Sequence, residues 1–377
     1  MSTMHSPESP TSSSACETKY VRVLVAMSGG VDSSVAAALM AEAHGTADVV
    51  GATLKLWGGE SDSGCCSVAD VDDARRVADQ LGLVHHVFNF VAEFEAHVVD
   101  PYVTGHAEGR TPNPCIECNR HLKFDRLFER AAQLGFDAVA TGHHARRTRH
   151  ADGTWCLVRG ADPAKDQSYV LAMLGQDQLA RTRFPVGEMT KAQVRDEAVR
   201  LGLRTAGKPD SQDVCFIRSD VGRAGFLGDR MPLHPGRLVD HDSGADLGGV
   251  EAVELVTVGQ RRGMGHGTDG RRRFVTSVDV PTRRVTVGPP EASYASSLSL
   301  HSLTWVARPL NGLDGAGAAA LAQCSAHGTA APCTLQVVTD GLSVTFATPQ
   351  RRVAPGQTVA LYDQSRPDHV VGSGVVR

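Results

Sequence analysis

Residues 28–34 read SGGVDSS and follow directly on the apolar run YVRVLVAM, residues 20–27. The valine-rich run predicts a strand, and from Val31 onward apolar residues recur at Val35 and Leu39, a helical spacing. The quoted stretch is therefore a strand-to-helix turn. Backbone N–H groups at such a glycine-rich turn, backed by the helix dipole, form an anion site. The hydroxyls of Ser28, Ser33 and Ser34 add donors. The lysine that an ordinary phosphate loop carries toward the β- and γ-phosphates is absent. We read this as a different cut of ATP, with attack at the α-phosphate and pyrophosphate left in the loop. Asp32 would orient Mg2+ or close the turn. A tight turn without a ligand is the plainer alternative.

Working outward, strand and helix signals alternate over about the first 215 residues. VVGATLKLW (49–57) and HHVFNF (85–90) read as strands, VADVDDARRVADQLGL as a helix with acidic residues toward its start. KFDRLFERAAQLG (123–135) reads as a helix ending at a glycine, followed by the strand FDAVATG. Such alternation predicts an α/β domain with a doubly wound parallel sheet, whose ligands bind outside the carboxyl ends of the strands. SGGVDSS and TGHH both fall at such ends. After about Asp220, Gly, Pro, Val and Thr rise and helical periodicity fades, which predicts two small β-domains. The expected layout is a disordered Ser/Pro/Thr-rich tail (1–19), a catalytic domain (20–218), a central β-domain (219–288) and a C-terminal β-barrel (289–377).

No run approaches the ~20 apolar residues a membrane helix needs, and the start has no apolar core of the signal type, so a cytoplasmic protein is expected. Nine cysteines in such a chain do not read as a disulfide framework. The formal net charge is -4, yet between Gly259 and Arg284 seven arginines (Arg261, Arg262, Arg271, Arg272, Arg273, Arg283 and Arg284) face only Asp269 and Asp279. That patch can attract a polyanion, or be a solvated loop region.

SGGVDSS resembles the loop of the ATP pyrophosphatase superfamily. GRTPNPCIECNRHLKF (109–124), ATGHHAR (140–146), KDQSYVL (165–171), FPVGEMTKAQVR (184–195), KPDSQDVCFI (208–217) and TVGQRRGMG (257–265) resemble successive blocks of bacterial tRNA-specific 2-thiouridylases, with a fainter echo in PQRRVAPGQ (349–357). The resemblance implies ATP-dependent 2-thiolation of the wobble uridine of lysine, glutamate and glutamine tRNAs. Uracil O2 would be adenylated with release of pyrophosphate, and sulfur would follow from a cysteine persulfide. It implies an ATP site of Ala26, Met27, Ser28, Gly29, Gly30, Val31, Asp32 and Ser33, with Leu54 near the adenine and Gly142 closing over the nucleotide. It implies tRNA contacts from Asn113, Pro114 and Cys115 beside the flipped base, from His143, Lys165, Asp166 and Gln167, and from Gln350 in the last domain. Flipping is needed because C2 is unreachable in a stack. A cysteine desulfurase or sulfur-carrier protein is the implied donor.

By the same resemblance Cys215 carries the persulfide, and Cys118 is the nucleophile that releases its sulfur, leaving a transient Cys118–Cys215 disulfide. The chain departs from the family at Cys115, in NPCIEC, where many members carry aspartate. A thiol of pKa ~8.5 is a different acid–base partner from a carboxylate near ~3.9. With Cys115, Cys118 and Cys215 as soft ligands, an iron–sulfur cluster with one open iron is a second reading, and structural zinc a third. Cys65, Cys66, Cys156, Cys324 and Cys333 read as filler. Two rival functions share the adenylation loop: an amidating ligase acting on a small molecule, and a nucleotide-binding redox or metal sensor. Neither uses both the Cys118/Cys215 pair and the arginine patch.

Overall fold

Strand β1 (Val23–Ala26) runs through the turn into helix α1 (Val31–His44). There follow β2 (Val49–Lys55), α2 (Val68–Gln80), β3 (Val84–Asn89), two long helical stretches over 91–107 and 114–133, and β4 (Ala138–Thr141). The computed structural model describes residues 21–57, 67–210, 214–218, 220–267, 269–307, 309–313 and 315–377. The expected tail and the Cys65–Cys66 pair lie outside them.

A hairpin, β5 (Ala145–Arg149) and β6 (Trp155–Arg159), precedes the two-residue strand β7 (Thr182–Arg183). The first sheet has the order β3-β2-β1-β4-β7, every pair parallel. Val25 lies opposite Gly51 on one side and Ala140 on the other. The strand order reverses between β1 and β4, so the turns after these two strands open onto one crevice. That is where SGGVDSS and TGHH were expected.

Both faces of the sheet are covered, as parallel strands require. Val23, Val25, Val31, Val35 and Ala140 pack in one apolar cluster, while Leu24, Leu54, Phe94, Leu122 and Val139 pack in another. The edge strand β3 is largely exposed. Helix α2 starts with a capping box: Asp70 N–H donates to Ser67 Oγ (3.1 Å) and Ser67 N–H returns to the Asp70 carboxylate (3.3 Å).

The central domain is a four-stranded sheet of β8 (Gly236–Asp240), β9 (Asp246–Val250), β10 (Phe274–Asp279) and β11 (Arg284–Gly288), in the order β10-β11-β8-β9. The last domain comprises β12 (Tyr294–Trp305), β13 (Ala318–Gln323), β14 (Ala331–Val338), β15 (Gly341–Arg351), β16 (Thr358–Asp363) and β17 (His369–Val376). These strands close as a barrel through β12–β17 pairing, which removes the sheet edges. The start of β17 also pairs with β6, so the β5–β6 hairpin extends the barrel's sheet although it lies within residues 20–218. Among the described residues no helix is long and apolar enough to cross a membrane.

Candidate functional site

The turn after β1 is held by its own hydroxyls. Ser28 N–H donates to Ser33 Oγ (3.1 Å), while Ser33 Oγ and Ser34 Oγ donate to the Gly30 carbonyl (3.1 and 2.8 Å). Gly30 is the N-cap of α1 and has no side chain to satisfy the N–H groups of the first turn, so these can serve an anion. Gly29 sits at φ 73°, and a Cβ there would run into the Asp70 carbonyl. At Gly142, just after β4, a Cβ would lie 2.6 Å from the Ser33 nitrogen. Gly142 thus lets the β4 turn press directly onto the loop. Met27, Val31 and Leu54 are buried, so Met27 and Val31 offer a ligand mainly their backbone.

Sequence reasoning found the loop short of a lysine; the tertiary structure provides one. Lys191 Nζ lies 2.8 Å from both carboxylate oxygens of Asp32 and 2.8 Å from Asp210 Oδ1. Asp210 also pairs with Lys165 (2.9 Å) and Arg195 (3.0 Å). His144 Nε2 reaches Asp32 Oδ1 at 3.1 Å, while its buried Nδ1 has no hydrogen-bond partner among the described residues. On the other side Lys208 donates to the Gly29 carbonyl (3.0 Å) and pairs with Asp70 and Asp73. Burial works against ionising Asp32, yet hydrogen bonds from His144 and Lys191 hold it below the ordinary carboxylate value. At Asp210 burial is likewise outweighed by Lys191 and Lys165, which bring it to about 2. Lys191, Lys208 and Asp210 lie inside recognised sequence blocks, but no spacing rule links them to residues 29 and 32.

Asp32 therefore closes the loop through cations, its oxygens taken up by Lys191 and His144. Among the described residues Cys115, Cys118 and Cys215 are not gathered as a ligand set. Cys115 is exposed whereas Cys118 is buried, and among the described residues no three His, Cys, Asp or Glu side chains gather to hold a metal. The described residues therefore lend the iron–sulfur and zinc readings no support. Cys118 belongs to the same apolar cluster as Leu54, and the half-buried Cys215 packs against that cluster.

The loop before Cys115 is organised by Asn113, whose side-chain oxygen accepts from the N–H groups of Cys115 (3.1 Å) and Ile116 (3.4 Å). Pro114 is buried as the first helical residue, the position its fixed φ suits. Cys118 then opens a π-helical segment, Cys118–Arg126, a rare winding found at many functional sites. Thr111 N–H donates to the Pro355 carbonyl (2.7 Å), and a Cβ on Gly109 would meet Val280 at 3.2 Å. Residues 109–111, leading into PNPC, thus touch both β-domains.

The candidate tRNA contacts divide. Lys165 is exposed enough to meet a phosphate. Gln167 exchanges hydrogen bonds with the backbone of His144, its Oε1 accepting at 2.8 Å and its N–H donating at 2.9 Å. Asp166 is turned inward, bound by Arg159 (2.6 Å), the Gly160 and Ser168 N–H groups (both 3.0 Å) and Ser168 Oγ (2.9 Å). His143 bonds Thr141 Oγ1 (2.9 Å) and packs near the Phe124 and Phe184 rings. Desolvation, then the Lys123 ammonium, push its imidazole well below the ordinary value. Gln350 lies on β15 and donates to the Thr348 carbonyl (2.9 Å).

The arginine patch is real but smaller than the sequence count. Arg261, Arg262 and Arg272 line a surface cavity of about 480 Å³ with Gly263, Gly265 and His266. Arg273 is instead buried and paired with Asp240 (3.2 Å) and Asp269 (2.9 Å), and Arg271 pairs with Glu291 (2.6 Å).

Three family models match in chain order: a tRNA methyl transferase HUP domain over residues 21–219, a tRNA methyl transferase PRC-barrel domain over 224–289, and an aminomethyltransferase beta-barrel domain over 295–376. A protein of Salinispora tropica named tRNA-specific 2-thiouridylase MnmA is 45% identical over 94% of this chain and 99% of its own length. One of the same name from Frankia casuarinae is 46% identical over 95% of this chain and 99% of its own. Among solved structures, the NH3-dependent NAD synthetase of Campylobacter jejuni is 16% identical, covering 50% of this chain and 67% of its own, at a TM-score of 0.32. That likeness is too low to bear on fold or function.

Proposed function

The chain belongs to the tRNA-specific 2-thiouridylase family, and from that premise we propose that it replaces O2 of a tRNA wobble uridine by sulfur at the expense of ATP. Two observations support this reading. A glycine turn with uncapped helix N–H groups stands at the switch point of the sheet, and Leu54 near the end of β2 packs in the apolar cluster that holds Cys118 and meets Cys215.

In the first step uracil O2 attacks the α-phosphorus of ATP, pyrophosphate leaves and the N3 proton is lost. The loop N–H groups and the Lys191 ammonium would hold the departing charge, which is where fixed donors contribute most. In the second step the terminal sulfur of a Cys215 persulfide attacks C2 and AMP leaves. The Cys118 thiolate then attacks the Cys215 sulfur, breaking its S–S bond to the transferred atom. The 2-thio group is released on the base, and a Cys118–Cys215 disulfide remains for an external thiol to reduce. Cys118 is buried, which suits a nucleophile used only inside the closed site. Cys115, exposed on the short helix just before Cys118, would face the RNA. A cysteine desulfurase or sulfur carrier would reload Cys215. Arg261, Arg262 and Arg272 would hold the phosphate backbone, with Lys165 contributing nearer the base.

The test is the 2-thiouridine content of unmodified glutamate tRNA after anaerobic incubation with the protein, Mg·ATP, cysteine and a desulfurase. ATP-dependent product at the wobble position is expected, and Cys215→Ser should abolish it while pyrophosphate release persists. Pyrophosphate release by the wild-type protein without thiolated product would reject tRNA as the substrate. Product formed from sulfide alone by Cys215→Ser would reject the persulfide.

A further inference from the structure

The mechanism above asks two things of Cys215. Its outer sulfur has to reach C2 of the base, and its own sulfur has then to meet the Cys118 thiolate. A disulfide closes only when the two Cα atoms stand about 4.4–6.8 Å apart, so the backbone on both sides must be held in place. Cys118 is held by its helix, as the first residue of the segment Cys118–Arg126. Cys215 lies in neither helix nor strand, on a turn that the Ile217 N–H closes onto the Val214 carbonyl at 3.0 Å.

The next residue supplies what the backbone does not. Phe216 is 3% exposed, whereas Val214, Cys215 and Ile217 are half-buried. Its ring enters a cage of other rings, with centroids at 5.1 Å for Phe226, 5.6 Å for both Phe94 and Tyr102, and 6.1 Å for Trp57. Phe94 and Tyr102 meet it edge-on, at 75° and 84°, the orientation in which the positive edge of one ring attracts the negative face of another. The walls come from separate parts of the chain: Trp57 from just past β2, Phe94 and Tyr102 from the helical stretch 91–107, and Phe226 from the helix Gly222–Gly228. The Arg230 guanidinium lies 4.0 Å from the Phe226 centroid and 5.6 Å from that of Trp57. Phe216, Phe94, Tyr102 and Phe226 share the apolar cluster that holds Cys118. A ring enclosed at the density of a protein interior has little room to shift. The Cα of Cys215 is one peptide unit away, about 3.8 Å. A fixed ring therefore fixes the turn.

We propose that Phe216 is a positioning residue for sulfur transfer: its caged ring pins the turn on which Cys215 stands, at the depth from which Cys215 serves both the base and Cys118. This rests on the reading of Cys215 as the sulfur carrier of a tRNA thiolase. Adenylation does not use Cys215, so it should not depend on the anchor.

The experiment compares wild type, Phe216→Ala and Phe216→Leu as full-length proteins. Three rates are read: 2-thiouridine formation on glutamate tRNA with Mg·ATP, cysteine and a desulfurase, tRNA-dependent pyrophosphate release, and alkylation of each cysteine of the reduced protein by iodoacetamide, resolved by peptide mass. Phe216→Ala should lower thiolation by about 10²-fold, the cost of misplacing a reacting group by about 1 Å, and leave pyrophosphate release within about threefold. Its Cys215 should alkylate about tenfold faster, because reactivity follows access. Cys333, buried in the barrel's own cluster, should stay as slow as in the wild type. Phe216→Leu, which keeps apolar bulk in the cage, should recover thiolation to within about tenfold of wild type. Should Phe216→Ala not fold, Phe216→Val is read against the same limits. An alanine variant that thiolates like the wild type, or whose Cys215 alkylates as slowly, overturns the proposal. So does one in which Cys215 and Cys333 speed up together, since the protein has then opened as a whole. If the wild type yields no thiolated product, the functional reading falls on that result, while the alkylation rates still decide whether Phe216 holds Cys215.

Discussion

Lys191 lies 159 positions along the chain from Asp32, yet its ammonium stands 2.8 Å from both oxygens of that carboxylate. A loop without a lysine of its own has acquired one from the first turn of a helix capped by Thr190. Replacing Lys191 by Met should lower tRNA-dependent pyrophosphate release by about 10²-fold or more, the usual effect of deleting a donor to developing charge. Arginine at the same position should recover part of it. A Lys191→Met enzyme with wild-type turnover would remove this residue from the adenylation site.

Gly142 is a steric prediction. A Cβ at that position would sit 2.6 Å from the Ser33 nitrogen and 2.7 Å from the Asp32 carbonyl carbon. Gly142→Ala should therefore push the β4 turn off the loop, costing about 1–3 kcal/mol of stability by overpacking. ATP affinity, followed by calorimetric titration, should fall more than tRNA affinity does.

The Asn113 side chain caps the short helix that presents Cys115 and leads into Cys118. Asn113→Ala should cost about 1 kcal/mol in chemical denaturation. Asn113→Asp, which preserves the acceptor, should hold stability while Asn113→Ala loses it. Thiolation should fall with the lost cap, and pyrophosphate release should fall less.

His106 is buried where the helical stretch 91–107 meets the central domain. Its Nδ1 lies 3.2 Å from the Glu254 carbonyl, and its Nε2 has no hydrogen-bond partner among the described residues. Desolvation, with the nearby Arg223 guanidinium, lowers its pKa from 6.5 to about 4. The folded protein thus binds this proton less readily than the unfolded chain. Stability should be unaffected above pH 6.5 and decline as pH falls toward 4, by about 3 kcal/mol over that window. Unfolding midpoints measured across the range should show the slope, and His106→Phe should flatten it.

The arginines make opposite predictions according to burial. Arg262→Ala or Arg272→Ala should reduce the salt slope of tRNA binding by about 1 each and leave the melting temperature unchanged. Arg273→Met leaves Asp240 without its cation and should lower the melting temperature by several degrees with the slope intact.

Much of this was legible before any coordinates. The run of valines, the glycine–serine turn and the apolar spacing of Val31, Val35 and Leu39 are local signals, and they yielded β1, the loop and α1 in place. The β5–β6 hairpin was not legible as part of the barrel, because its pairing with β17 joins residues more than 200 positions apart. Nor could the CxxC spacing at Cys115 and Cys118 distinguish ligands from neighbours. Only packing shows that the first faces solvent and the second the core. A count of arginines likewise could not see that Asp240 neutralises Arg273 from 33 positions away.

The sequence by itself determined the parallel sheet, the place of the nucleotide loop and the cysteines that carry the proposed sulfur chemistry. Each of these follows from short-range residue patterns or from ordered blocks that survive in one dimension. The tertiary structure decided which cation serves the loop, that Asp210 joins two lysines, and that Asp166 and Arg273 face inward. Those are ion pairs and burial, which depend on distances in space and leave no periodic trace along the chain.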